Sequence, residues 1–292
     1  MRAKGGIAVT ILLIVTAFGL SYFLYTPDQR LEINFLNIGQ GDAALIRTPH
    51  KKTILIDGGP PNKAVLRELG SVLPFWQRKI DLIILSHPHD DHFGGLSAVA
   101  ERYKVGAVIL TDYTYRSSAY TEFFEILKSK NIPIIYAKKE DLVIDDIYFN
   151  FLFPYESLAH KKIENANNAS IVVRVSYGEI DALFSGDAEL ELENQLLATV
   201  KNELDSEILK LGHHGSDTSS SEEFLEAVSP ELAIASAGVD NSYGHPSPRI
   251  LKRLERRAIK SYRTDLDGTI RLKTDGEKVY HRKACIIGCS SL

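Results

Sequence analysis

Cysteine, methionine and tryptophan are all scarce in this chain. Two cysteines, one methionine and one tryptophan occur in 292 residues. Cys285 and Cys289 stand near the C-terminus with no other ligand cluster beside them, which excludes a thiolate-rich metal centre. In an oxidising exterior the two can pair with one another or across a dimer. Repeats and low-complexity segments are absent, so solenoid and disordered architectures are set aside. Long basic tracts are absent as well. The one basic cluster, Lys252-Arg253 with Arg256-Arg257-Ala258-Ile259-Lys260, reads as the polar face of a helix. The formal net charge is −4. Tight nonspecific binding to duplex nucleic acid is therefore not expected, although local positive charge beside a metal remains compatible. With 44% apolar and 25% charged residues, the composition is that of a protein with a full hydrophobic core.

Acidic residues are also missing from the first 26 positions. Residues 5–25 carry no charge and include Ile7-Ala8-Val9-Thr10-Ile11-Leu12-Leu13-Ile14-Val15. About 20 apolar residues cross a bilayer as a helix. Arg2 and Lys4 precede the run, which places the N-terminus in the cytoplasm and the rest of the chain outside it. Residues 1–26 are thus expected to be a single-pass membrane anchor, and residues 27–292 an extracytoplasmic domain. Secretion after cleavage of a signal peptide is the alternative; no clear small-x-small site precedes Tyr25. Setting aside Arg2 and Lys4 leaves 32 basic and 38 acidic residues, a net of −6.

Beyond the polar linker Thr26-Pro27-Asp28-Gln29-Arg30, short apolar alternations and amphipathic stretches take turns. Strands are expected at 31–36, 43–47, 53–56, 80–86, 105–110, 207–211 and 231–236, with several more in 133–153. A hairpin is expected from 170–175 to 182–184, and a last one from 261–264 to 268–281. Helices are expected at 61–73, 95–103, 118–130, 189–200, 221–228 and 247–258. Hairpins early and late, with helices between strands elsewhere, predict a mixed α/β domain with stacked sheets.

Against that background one window stands out. His87-Pro88-His89-Asp90-Asp91-His92 follows an apolar strand directly, and Phe93-Gly94-Gly95 closes it. Three of the nine histidines fall there. Imidazole and carboxylate together suit a hydrolytic zinc, manganese or iron site. Such sites hold two cations ~3.5–4 Å apart with a bridging carboxylate. His87 and His89 alternate on an extended turn and can face one cation, while Asp91 and His92 can face a second. Asp187, after Ser185-Gly186 at a strand end, stands where a bridging carboxylate is needed. His213 and His214 follow the 207–211 strand and can close the second site.

The HxHxDH pattern at 87–92 resembles the metallo-β-lactamase superfamily over about residues 31–280. More narrowly, the chain is similar to the C-terminal domain of ComEC-type DNA-uptake proteins. The matching blocks are Asn37-Ile38-Gly39-Gln40-Gly41-Asp42-Ala43, Ile56-Asp57-Gly58-Gly59, Ser86 to Gly95, Ser185-Gly186-Asp187, Leu209 to Ser216, Asn241-Ser242-Tyr243-Gly244-His245-Pro246 and Tyr262 to Gly268. The resemblance implies an αββα four-layer sandwich with the metal site at one edge between the sheets. It implies His87, His89, Asp91, His92, Asp187 and either His213 or His214 as the metal set. It implies Asp57 as a buried aspartate holding the histidine loop, a role carboxylates take behind ligating imidazoles. Asp42, Asn168, Ser216 and His245 are then substrate-pocket residues. His245 in its rigid turn can donate to a phosphate oxygen or protonate a leaving group, and Asp91, His245 and Asp57 are the catalytic candidates.

Two departures from the resemblance matter. Most of the superfamily carries a histidine just before the strand leading to the bridging aspartate, where this chain has Asn165-Ala166-Asn167-Asn168-Ala169-Ser170. The first cation then keeps only His87, His89 and Asp187, so the expectation is two divalent ions, zinc or manganese, with occupancy of one or both left open. The uptake proteins also carry a many-helix channel and an upstream DNA-binding domain, neither of which is in this sequence, so DNA import does not follow. The resulting expectation is a metal-dependent phosphodiester hydrolase outside the cytoplasmic membrane, a nuclease with single-stranded DNA as substrate. Alternatives are a phosphodiesterase of a cell-surface polymer, of the teichoic-acid phosphocholine esterase kind, and a non-catalytic module that binds a membrane-channel partner. Oligomeric state is left open.

Overall fold

The computed structural model describes residues 30–282 and 284–289, together with Leu12, Ile14, Val15, Thr16 and Gly19. Those five isolated residues are helical; the rest of the expected anchor at 5–25 lies outside the described residues. Among the described residues no helix is long and apolar enough to cross a membrane.

The chain begins with β1 (Leu31–Phe35), β2 (Ala44–Arg47), β3 (Thr53–Ile56), α1 (Ala64–Val72), β4 (Lys79–Ile80) and β5 (Leu82–Ile84). Next come α2 (Asp90–Phe93), α3 (Leu96–Arg102), β6 (Lys104–Val105), β7 (Val108–Leu110), α4 (Ser118–Ser129) and β8 (Ile134–Tyr136). A second run has β9 (Asp141–Ile144), β10 (Ile147–Phe153), β11 (Val172–Tyr177), β12 (Ile180–Phe184), α5 (Leu190–Thr199) and β13 (Ile208–Lys210). It continues with α6 (Glu222–Val228), β14 (Leu232–Ala235), α7 (Pro248–Arg256), β15 (Lys260–Arg263) and α8 (Thr264–Asp267). The chain then returns as β16 (Ile270–Thr274), β17 (Val279–His281) and β18 (Ala284–Ile287).

Among the described residues two large sheets form. The first has nine strands in the order β18-β17-β16-β1-β2-β3-β5-β7-β8, the second seven in the order β15-β14-β13-β12-β11-β10-β9. β4 and β6 pair as a separate short ribbon. Each large sheet is antiparallel in one part and parallel in the other: β3, β5, β7 and β8 run together, as do β12 to β15.

Side-chain alternation along the strands assigns the layers. Ile54 and Ile56 face the space between the sheets and Leu55 the helices; Leu82 and Ile84 likewise oppose Ile83, and Ala182 and Phe184 oppose Leu183. The period of two along a strand gives each sheet two apolar faces. The inner layer gathers Ile33, Phe35, Phe149, Phe151, Val173 and Phe184. Leu69, Val99 and Phe123 of α1, α3 and α4 cover the outside of the first sheet. Leu196, Phe224 and Leu254 of α5, α6 and α7 cover the outside of the second. This is an αββα sandwich. Three of the helices start on serines whose hydroxyls accept from backbone N–H groups: Ser117 from Tyr120, Ser221 from Phe224 and Ser247 from Ile250. Such caps satisfy donors that the first helical turn leaves unpaired.

One expectation is corrected. Residues 261–264 do not form a hairpin with 268–281. β15 joins the second sheet parallel to β14, and β16 crosses to the first sheet beside β1. The turn of α8 carries the chain across, and the Asp265 carboxylate bonds the Arg263 guanidinium while Asp267 Oδ2 accepts from Arg263 N at 2.9 Å. The late hairpin is β16–β17. Periodicity alone cannot show that two adjacent strands belong to different sheets.

Phe149 of β10 is fully buried in the inner layer. Phe149→Ala is expected to lower the unfolding free energy by about 3–5 kcal/mol, read by denaturant titration; a loss below 1 kcal/mol would show that the two sheets do not depend on this layer.

Candidate metal centre

The site collects at the C-terminal ends of the parallel strands, where the two sheets meet. β3 ends on Asp57, β5 on Ser86 and His87, β12 leads to Asp187, and β13 to the Gly212–Gly215 turn. The β1–β2 turn adds Asp42. Two glycines allow this convergence. Gly41 has φ +122, and a Cβ there would stand 2.2 Å from the Asp91 carbonyl oxygen. Gly186, with φ +53, would press a Cβ to 2.7 Å from Ser170 Oγ. Only glycine accepts such a backbone without strain.

Asp57 is fully enclosed. Its Oδ1 accepts from Ser86 N at 2.7 Å, and its Oδ2 from Ser86 Oγ at 2.7 Å and His92 Nδ1 at 2.9 Å. That grip turns His92 Nε2 toward Asp187 Oδ2, 3.2 Å away. Asp42 does the same for His214. Its Oδ1 meets His214 Nδ1 at 3.0 Å, and its Oδ2 accepts from the buried Lys210 ammonium at 2.7 Å. His214 Nε2 then lies 3.2 Å from Asp91 Oδ2 and 3.4 Å from Asp187 Oδ2. On the other side, His87 Nε2 and His89 Nδ1 stand 3.0 Å apart, and His87 Nε2 is 3.9 Å from Asp187 Oδ2. Nitrogens sharing one tetrahedral zinc at its usual bond lengths lie about 3.3 Å apart, so this spacing suits a common cation.

Asp187 Oδ2 is therefore the hub between the His87–His89 pair and the Asp91–His92–His214 group. Asp42, His92, Asp187 and His214 each bring a ligand-type atom within 4.8 Å of the others, and all four are buried. Within that group Asp42 already has both oxygens taken, by His214 Nδ1 and Lys210 Nζ, so it aims an imidazole and is not itself a free ligand. Asp187 Oδ1 is buried with no hydrogen-bond partner, and His92 Nε2, equally buried, has only the ion-pair contact with Asp187 Oδ2. Unpaired buried polar atoms are rare and call for an ion or a polar guest, so the residues present fit a bound divalent cation.

The electrostatics agree. Burial pushes the His92 proton off, yet the flanking Asp187 and Asp57 carboxylates overcome it and hold His92 well above its ordinary value. Burial also opposes His214, and Asp187 with Asp42 raises it to about 9. Burial and the His92 charge keep His87 well below its usual value, and His89 is lowered for the same reasons. Burial would raise Asp187, but His214 and His92 hold it well below the carboxylate range. Asp57 goes the other way: burial raises it, outweighing His92.

The other expected residues take distinct places. His213 sits on the rim, with Nδ1 at 3.1 Å from both Glu189 Oε1 and Thr218 Oγ1. Both His213 (φ 47) and His214 (φ 55) are left-handed, and only His214 turns inward. Such a backbone costs about 1–3 kcal/mol per residue and persists where function fixes it. Ser216 Oγ bonds Thr218 and steadies the loop. His245 lines the cleft, and its Nδ1 is buried and unpartnered. Burial and the neighbouring His213 lower its pKa, which keeps the ring neutral.

Asn168 is placed differently from expectation. Its Oδ1 accepts from Glu189 N at 3.0 Å and its Nδ2 donates to Glu191 at 3.2 Å, and it lines a neighbouring hollow. The cleft is lined by Asn167, whose Nδ2 donates to Glu189 Oε1 at 2.9 Å while Oδ1 has no partner. In a tight 3₁₀ turn, adjacent side chains diverge. Lys210 and Tyr243 also escaped the sequence reading. A lysine inside the apolar strand Ile208–Lys210 was the available signal, since a buried charge requires a partner. The cleft itself encloses about 190 Å³.

This fold and this donor set define a class. The chain matches the metallo-beta-lactamase superfamily over residues 36–239, and it belongs to that family of metal-dependent hydrolases. Among curated proteins it is similar to ComE operon protein 3 of Bacillus subtilis, with 30% identity over 94% of this chain and 36% of the relative. Competence protein ComA of Neisseria gonorrhoeae is 34% identical over 84% of this chain and 32% of its own length. Recombination protein 2 of Haemophilus influenzae is 29% identical over 89% and 31% respectively. The chain thus spans about a third of the length of these relatives. Among solved structures, the metallo-beta-lactamase fold protein YhfI of Bacillus subtilis aligns with a TM-score of 0.59 at 11% identity, over 85% of this chain and all of that one. Igni18, a metallo hydrolase of Ignicoccus hospitalis, aligns with a TM-score of 0.55 at 16% identity, over 82% of this chain and 98% of that one. These two likenesses concern the fold.

A pH dependence follows. A folded-state pKa of about 9 for His214, against an ordinary 6.5, stabilises the fold fully below pH 6.5, and that contribution is lost as pH rises through 9. Chelator-treated protein should lose thermal stability across that interval, and saturating zinc or manganese should flatten the decline, because cations then replace the protons. A Tm in chelator that holds steady from pH 6.5 to 9 contradicts this account.

Proposed function

We propose that this chain is a membrane-anchored phosphodiesterase acting outside the cytoplasmic membrane, and that its substrate is single-stranded nucleic acid. The observation that carries the reading is the hub at Asp187 Oδ2, with His87 and His89 on one side and Asp91, His92 and His214 on the other. Relatives named for competence and recombination favour a DNA substrate. The uncharged run at 5–25 supports the anchor,.

His87 and His89 with Asp187 would hold one cation; Asp91, His92 and His214 with Asp187 would hold the other. Asn167, a cleft-lining residue whose Oδ1 is buried and unpartnered, would offer an oxygen where most of the superfamily uses an imidazole, which would favour manganese alongside zinc,. Bound there, two cations supply Lewis acidity and bring the pKa of water toward 7. Asp57 and Asp42, the latter steadied by Lys210, keep His92 and His214 aimed. His245, neutral on the cleft wall, donates a hydrogen bond to a phosphate oxygen. Tyr243 is 70% exposed, and its ring lies nearly parallel to His245 at 5.7 Å. An exposed ring beside the site suits stacking of an unpaired base, which favours single strands over duplex.

Full-length protein in detergent, assayed with each metal, should cleave single-stranded DNA, and Asp91→Ala or His92→Ala should bring cleavage to background. Unchanged cleavage by either variant rejects the site. Turnover of a small nitrophenyl or choline phosphodiester with none on DNA assigns the activity to a surface polymer instead. Metal titration separates the histidine doublet: His214→Ala should lose one bound equivalent and His213→Ala none. Less than one equivalent in the parent protein, with metal in excess, identifies a binding module.

A further inference from the structure

The end of the sandwich opposite the cleft carries a second surface. β1 runs from Leu31 toward the Asp42 turn, and β3 and β5 run the same way, since β1–β2 and β2–β3 are antiparallel and β3–β5 parallel. The segments entering β3 and β5 therefore lie at the end where Leu31 begins. The segment after α1 is tied to this end where it becomes β4: Thr53 Oγ1, at the start of β3, donates to Lys79 O at 3.1 Å, and Asp81 N donates to Thr53 O at 2.8 Å. The loop that follows α1 presents Phe75 and Trp76, 80% and 68% exposed, with ring centroids 4.8 Å apart in an edge contact. Adjoining exposed aromatics form an apolar patch of the kind that marks an interaction surface.

Cations surround this pair. Arg78 and Lys79 follow it after Gln77. Lys104 is drawn alongside, because β4 and β6 pair Lys79 with Lys104 and Lys104 N bonds Arg78 O at 2.8 Å. Lys52 adds a further charge 3.7 Å from Asp81. Asp81 is engaged by Lys79 and Lys52, and Asp145 by Thr48 and His50. The uncharged run at 5–25 joins β1 at this same end through residues 26–30, and five residues reach at most about 18 Å.

We propose that this face docks on the anionic surface of the bilayer, with Phe75 and Trp76 at headgroup level and Arg78, Lys79 and Lys104 on the lipid phosphates. Tryptophan beside cations is the side-chain chemistry of that interface, and each such cation is attracted to anionic lipid. The assignment rests on the membrane-anchor reading above. It turns the metal cleft away from the membrane, toward whatever polymer passes outside.

Trp76 is the single tryptophan, so intrinsic emission reports this loop alone. Full-length protein is reconstituted in phosphatidylcholine vesicles with and without phosphatidylglycerol, and with brominated acyl chains. Docking predicts blue-shifted emission in anionic vesicles, loss of most of it to bromine, and protection from iodide. Arg78→Glu with Lys104→Glu should restore iodide access. Trp76 that stays open to iodide and untouched by bromine, in protein that still floats with the vesicles, overturns docking while leaving the anchor intact. Protein that does not float at all overturns both. A blue shift that follows protein concentration and ignores bromine overturns lipid docking and makes the partner a second copy.

Discussion

Two carboxylates that water does not reach set the aim of two imidazoles, and the site depends on that arrangement. Asp57 and Asp42 cannot remain charged in a dry interior unless donors surround them. Asp57 is met by Ser86 and His92, and Asp42 by His214 and Lys210. Each imidazole gives one nitrogen to its carboxylate and is left with the other pointing inward. Orientation from behind is what makes a donor set more than a cluster of polar residues.

The architecture delivers those partners from far apart in the chain. Each sheet changes from antiparallel to parallel pairing near its middle, and the strand ends there point the same way. Asp57 and Ser86 come from neighbouring strands of the first sheet; Asp187 and His214 follow neighbouring strands of the second. The inner apolar layer, with Phe35 stacked on Phe184 at 5.7 Å, fixes the sheet-to-sheet separation and thereby the distance between the two half-sites. Packing in the core and geometry at the edge are in this sense one property.

Much of this was legible in the sequence because local pattern and local chemistry coincide. Leu82 to Leu85, just before the histidine window, are all apolar, the histidines alternate after them, and every helix that covers a sheet lies within a few residues of its expected range. What was lost depended on three dimensions. Asn168 and Asn167 are equivalent by composition, and only the 3₁₀ turn decides which one lines the cleft. Lys210 looks like a strand residue until Asp42, far away in the chain, is set beside it. His213 and His214 are indistinguishable in sequence, and two successive left-handed residues separate them. The misplaced hairpin at 261–281 has the same origin: α8 moves the chain between sheets over a distance that periodicity does not register.

Because the candidate donors extend from His87 to His214, with Asp42 aiming the last of them, no early portion of the nascent polypeptide can capture a cation in this geometry. Asp57 and His92 come from the β3 and β5 ends, early in the chain, but the inward-facing nitrogen of His92 meets Asp187 only after β12 is in place. Metal loading must therefore come after most of the chain has been made and both halves have closed on one another. An assembled centre is in effect a record of completed tertiary structure, and the ions it holds are drawn from whichever compartment hosts that final step.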